Sequence, residues 1–266
     1  MAPRTLDVVR QVVVAVSAVL AVVSAAVGSG AFGGTPIAEA GGGALSSDAT
    51  FVAPDGPAFA IWTPIYPGLL ALAGWQLAPS RRADPRQRRI GWLVAATMLV
   101  NAAWILTVQA GRVGQSVAVI GLLLILLIAA YRVLVDSRPS GWVEAVLLDA
   151  TMGLYLGWVS IATIANVAAA LVDSGRDELL LGASAWAVLV LVFATVIGVV
   201  VAAAGRGRFA YAVALAWGLA WVAVGRTDGS DDSTGVAVTA VAAAIIVVGA
   251  TLIARLRDRA MTASPA

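Results

Sequence analysis

The chain has 266 residues, 61% hydrophobic and 12% charged, with 17 arginines, no lysine and 15 acidic residues for a net charge of +2. That balance excludes an ordinary soluble domain, in which about a quarter of the residues are charged. Cys and His are both absent, which excludes thiolate nucleophiles, disulfides, Cys/His zinc sites and imidazole acid–base chemistry.

About 20 helical residues cross a hydrocarbon core. Apolar runs suited to that length occur at 8–27, 57–78, 90–110, 116–135, 143–172, 184–204, 209–225 and 236–254, giving eight expected spans. The first follows Arg4 and Arg10 and precedes "VSAAVGSG". It reads as a retained helix or as a signal peptide, and its length favours the helix. The loop 28–56 is Gly/Ser-rich, has no basic residue and ends in "FVAPDGP". It is either a flexible connector or a lid over a cavity.

The second span carries Phe59, Trp62 and Tyr66 at i, i+3 and i+7, hence on one helix face. Pro57 suits a first helical turn, whereas Pro64 and Pro67 remove backbone donors, so a kink is expected. The stretch "RRADPRQRR" reads as a solvated loop near anionic lipid, too short for a nucleic-acid role. The third span holds Asn101 and Trp104, again i, i+3. An amide in a span needs a partner, so Asn101 faces the bundle interior, as helix–helix glue or as cavity lining.

The fifth span is long, with its first turn at the interface. Tyr155 and Asn166 lie about 20° apart in projection and Trp158 about 60° to the other side of Tyr155, with Ala162 on the same broad stripe. Gly153 and Gly157 form a GxxxG pair that permits close helix approach. Asp149 lies about two turns inside the span, either snorkelling, pairing with Arg132 or another loop arginine, or serving a functional role. Glu144 is interfacial. The seventh span is short; its Trp217 and Trp221 are belt anchors or pack on the bundle. With the N-terminus inside, 14 of the 17 arginines face the cytoplasm and only Arg112, Arg176 and Arg226 lie outside. The positive-inside bias therefore gives N-in, C-in, with the acidic loops "VDSGRDE" and "RTDGSDDSTG" outside.

Three pieces in this order, "WTPIY", "VNAAW" and "YLGWVSIATIAN", make residues 1–172 resemble the translocator protein/tryptophan-rich sensory protein family (TspO/MBR). The resemblance implies a five-helix membrane bundle, often dimeric, with a pocket beneath the first loop for lipophilic ligands, notably porphyrins. By resemblance, Trp62, Tyr66, Asn101, Trp104, Tyr155, Trp158, Ala162 and Asn166 line or support that pocket, and the loop 28–56 is its lid. The departures are separated Pro54 and Pro57 with no lysine, a Phe–Trp spacing one residue shorter, Pro64 within the motif and Leu154 where the family has proline. They bear on ligand identity more than on fold.

The expected fold is thus an all-α polytopic membrane protein. A TspO-like bundle at 1–172 is followed at 173–266 by about three further transmembrane helices and a short cytoplasmic tail. The expected location is the plasma (cytoplasmic) membrane. The expected function is binding of a lipophilic small molecule, a porphyrin-like tetrapyrrole or a lipid, for sensing or regulation. The partners are the bilayer, that ligand and a second copy in a homodimer, with no nucleic acid. No cofactor or metal is expected; without His or Cys to ligate haem iron, a metal-free porphyrin is favoured. A transporter of a small lipophilic or anionic substrate is the alternative, motivated by the proline-broken second span and Asp149, though the halves show no internal repeat. Porphyrin breakdown is permitted by the resemblance, but no nucleophile or acid–base constellation supports an enzyme. The plainest alternative is a bundle whose tryptophans only pack and anchor.

Overall fold

A computed structural model describes residues 4–31, 35–175, 182–227 and 233–263. Among the described residues there are eight long helices and no strand. They are α1 (Thr5–Gly28), α2 (Trp62–Gln76), α3 (Pro85–Gln109), α4 (Val113–Val135), α5 (Thr151–Asp173), α6 (Ala183–Ala204), α7 (Phe209–Val224) and α8 (Thr234–Ala263). Each matches one expected apolar run. Seven are long and apolar enough to span, counting the lead-in turns of α2 and α5, and α7 is a shorter apolar helix. Of the about eight expected spans, seven have spanning length and apolarity, and α7 is the seventh span, expected to be short. With 16 residues, α7 reaches about 24 Å, short of a hydrocarbon core of about 30 Å. Outward faces such as Val12, Val16 and Val19 of α1 remain exposed and apolar, as lipid contact requires.

The first five helices close into a ring. Helix α1 packs on α2 and α3, α3 on α4, α4 on α5, and α2 on α5. Helix α7 packs on the outer face of α5, and α8 packs on both α7 and α6. Helix α6 follows α5 in sequence yet takes α8 as its main neighbour.

Local sequence explains the helix starts. Asp84 accepts from the backbone of Arg86 and Gln87 while Pro85 occupies the first turn of α3. Asp55 and Pro57 open a 3₁₀ turn, Gly56–Ile61, and the α-helix proper begins at Trp62. Pro64 therefore falls in the first turn of α2, where its missing donor leaves no helical bond unmade. The kink expected at Pro64 becomes a 3₁₀-to-α junction, and Pro67 is the proline inside the helix. A π-helical segment, Ala145–Ala150, precedes α5 and carries Asp149. The GxxxG pair lies on the α5–α7 seam: a Cβ on Gly153 would meet Ala210 Cβ at 2.8 Å, and one on Gly157 would meet Tyr211 O at 2.3 Å.

The arginine-rich end of the ring is tied by ion pairs. Arg88 binds Asp7 at 2.6 Å. Arg86 binds Glu144 at 3.1 Å and Asp149 at 2.7 Å, and Arg208 also binds Asp149. Asp149 thus pairs with Arg86, which lies in the first turn of α3 and not in a solvated loop, and with Arg208, rather than with Arg132. Glu144 is buried and hydrogen-bonded by Gln87 at 3.2 Å, not simply interfacial. Gln76 Nε2 donates to Gln11 O at 2.9 Å, and Gln11 donates back to Gln76 O. The expected outside placement of Arg176, Asp177, Glu178, Asp228, Asp231 and Asp232 lies outside the described residues.

Candidate functional site

The aromatic residues of α2 and α5 meet across the ring. Trp62 stacks on Tyr66 with centroids 4.7 Å apart and an interplanar angle of 19°. Tyr155 and Trp158 stand edge-on to Trp62 at 5.7 and 6.4 Å. Phe59, absent from the expected site, completes the cluster edge-on to Trp158 at 5.6 Å. Edge-to-face and offset-stacked geometry suits the ring quadrupoles and fixes these planes against one another.

Buried polar groups hold the cluster in register. Asn101 Nδ2 donates to Tyr66 Oη at 3.1 Å, so Asn101 is helix glue and, by its position, also cavity lining. Trp104 Nε1 donates to Asn166 Oδ1 at 2.7 Å, and Asn166 Nδ2 donates to Ser116 Oγ at 2.8 Å. This chain joins α3, α5 and α4. Tyr155 Oη donates to Thr97 O at 3.2 Å. Ser116 and Thr97 escaped the sequence reading. Thr97 takes part through its backbone carbonyl, which residue type does not announce, and a lone hydroxyl in a span bonds readily to its own helix, as Ser116 does to Val113 O.

Two spaces adjoin the cluster. The smaller, about 50 Å³, lies under the loop and is lined by Trp62, Asn101, Trp104, Trp158 and Ala162 with loop residues such as Thr50 and Pro54. The larger, about 570 Å³, opens between α1, α2 and α3 beside Tyr66, Pro67 and Ile105. Ile37, Phe59, Trp62 and Trp104 line both, so they form the wall between them. Tyr155 and Asn166 line neither; fully buried, they stand behind Trp62 and Trp104 as supports. Drug-sized ligands occupy about 300–1,000 Å³. The larger space has that size, while the smaller, by the same measure, is about a tenth of it.

The loop over the cavity is packed rather than loose. Ala40, Val52 and Ala53 are buried. Gly41, Gly42 and Gly43 have φ of 61°, 73° and 81°, a left-handed run that explains part of the glycine content. A hydrogen bond from Ser46 holds the Asp48 carboxyl below its ordinary pKa. Among the described residues no cluster of three or more acidic groups could hold a metal ion.

Asn166→Leu is expected to destabilise the bundle by about 1–2 kcal/mol, because Trp104 Nε1 and Ser116 then lose a buried partner. Ser116→Ala leaves Trp104 its acceptor and should cost less. Unfolding midpoints in detergent measure the difference; equal midpoints for Asn166→Leu and the parent chain would contradict the polar chain.

A family model described as TSPO-like protein matches residues 11–253, from within α1 into α8. No curated protein and no solved structure matches the chain.

Proposed function

Because the chain belongs to the TSPO-like protein family, we propose that this multi-pass integral membrane protein binds a lipophilic small molecule, a porphyrin-like tetrapyrrole or a lipid, for sensing or regulation. The supporting observation is the aromatic wall of Phe59, Trp62 and Trp104 set between two spaces, with Asn101 at its edge. Indole faces and aliphatic walls stack on a flat ring system, and a few amides fix its orientation. In this reading the ligand fills the larger space and enters the smaller one as the wall residues and the loop shift. Residues 1–172 form the binding unit and 173–266 an attached unit. The chain sits in the plasma membrane N-in, C-in, with α7 as a short eighth crossing; the arginine bias supports that orientation, and the two ends of α7 reach opposite ends of the bundle, one beside Asp149 and the other beside the loop.

Transport is the less supported reading. An acid that carries a proton or ion must change partners, whereas Asp149 is held by Arg86 and Arg208 together.

Quenching of tryptophan fluorescence by protoporphyrin IX in detergent tests the proposal. Replacing Trp62 and Trp158 together by Phe should weaken binding roughly tenfold, since two stacking partners worth about 0.5–1.5 kcal/mol each are altered. Trp142→Phe, at an exposed site, should leave affinity unchanged. Equal affinity for the double variant and the parent chain would reject the site.

A further inference from the structure

We propose that α7 is a latch for the loop over the aromatic cavity, with Arg226 as its principal positioning residue. Arg226 follows the last turn of α7 and is 2% exposed. Its guanidinium donates to Ser47 O at 2.7 Å and to Thr50 O at 3.2 Å, and it lies 5.7 Å from the centroid of the Phe51 ring. Two further bonds run between α7 and the same segment. Trp217 Nε1 donates to Ala58 O at 2.8 Å, and Asp55 N donates to Trp221 O at 3.1 Å.

The loop is divided between two owners. Its first part is tied to the ring: Ile37 N donates to Gly28 O at 2.8 Å and Gln109 Nε2 to Thr35 O at 2.6 Å. For residues 44–58, the hydrogen bonds to other helices described above come from α7 and Arg226. Thr50, Ala53, Pro54 and Phe59, within or next to that second part, line the small cavity. A guanidinium fork on two carbonyls is a charge-assisted contact, and its site at a helix C-terminus adds the favourable end of the dipole. The bond to Thr50 O is buried and the bond to Ser47 O is partly buried, so water has little access to either while the loop stays closed.

The consequence rests on the ligand-binding reading. A space of about 50 Å³ admits no ring system unless the loop moves, and moving residues 46–58 breaks the bonds to α7. Helix α7 therefore sets the free energy of opening the small cavity, and the C-terminal helices acquire a role in admitting the ligand to it. The seam at Gly153 and Gly157 holds α7 against α5, so the latch has a fixed base.

Hydrogen exchange of the full-length chain without ligand is the first test. Arg226→Ala should speed exchange of amides in residues 46–58 roughly tenfold, the factor expected when a charge-assisted contact is lost. Arg226→Lys, which keeps charge but not the fork, should fall between. Trp217→Phe removes the donor to Ala58 O and keeps a ring, so it tests the latch even if Arg226→Ala fails to fold. Stopped-flow association of protoporphyrin IX should accelerate in the same order. Unchanged exchange in folded Arg226→Ala or in Trp217→Phe overturns the latch. Faster exchange with unchanged association overturns its role in admission. If protoporphyrin IX does not bind the parent chain, the ligand reading fails, and the exchange result still decides the latch.

Discussion

Asp149→Ala is expected to destabilise the protein by about 3 kcal/mol, the lower end of the range for removing one partner from a buried ion pair. The carboxylate is 10% exposed and is shared by Arg86 and Arg208. Its loss leaves two cations facing each other at the junction of the ring and the C-terminal helices. Arg86 keeps Glu144 at 3.1 Å and Arg208 keeps Leu134 O at 2.7 Å, which is why the effect stays at the lower end. Asp149→Asn retains an acceptor and should cost less than Asp149→Ala. Unfolding in detergent, with a cycle pairing Asp149→Ala and Arg208→Ala, measures the coupling. A coupling near zero would mean that Asp149 is not the junction.

Gly157→Ala should destabilise by about 1–3 kcal/mol although it adds a single methyl group. The new Cβ would lie 2.3 Å from Tyr211 O, 2.9 Å from Ala214 Cβ and 3.0 Å from Leu215 N. Two of these are backbone atoms, which cannot rotate away, so α7 must move off α5. Gly121→Ala is the control. It is a helical position in α4 with nothing within 4 Å of the added Cβ, and alanine there should be neutral or stabilising by up to about 1 kcal/mol. If both substitutions leave the unfolding midpoint unchanged, the α5–α7 seam does not have the closeness described. A displaced α7 also shifts Arg226, so Gly157→Ala should loosen residues 46–58 from a distance.

The fold was legible wherever the bilayer dictates sequence. A helix in lipid needs an unbroken apolar run, so the seven helices of spanning length announced themselves, and so did the shorter α7. Faces were legible too, because the helical period alone puts Trp62 with Tyr66 and Tyr155 with Trp158 and Asn166. What stayed hidden was the meeting of helices. No local rule tells Trp104 to find Asn166, 62 residues away, or Arg226 to reach Ser47 across 179. Asp149 had an acid's signature and an arginine partner was expected for it, but not which one, since Arg86 and Arg208 lie 63 and 59 residues away in sequence. Pro64 misled because sequence alone does not say where 3₁₀ turns into α. The role of Gly153 and Gly157 was visible as close approach but not as contact with α7.

The most direct test of the central claim is a structure determined with protoporphyrin IX bound. The account predicts the macrocycle against Trp62 and Trp104, bordered by Tyr66 and α1, with residues 46–58 displaced from α7 if the ring reaches the small cavity. A macrocycle found only on the outer lipid-facing surface, with the Trp62, Tyr66 and Trp158 cluster closed and unaltered, would contradict it.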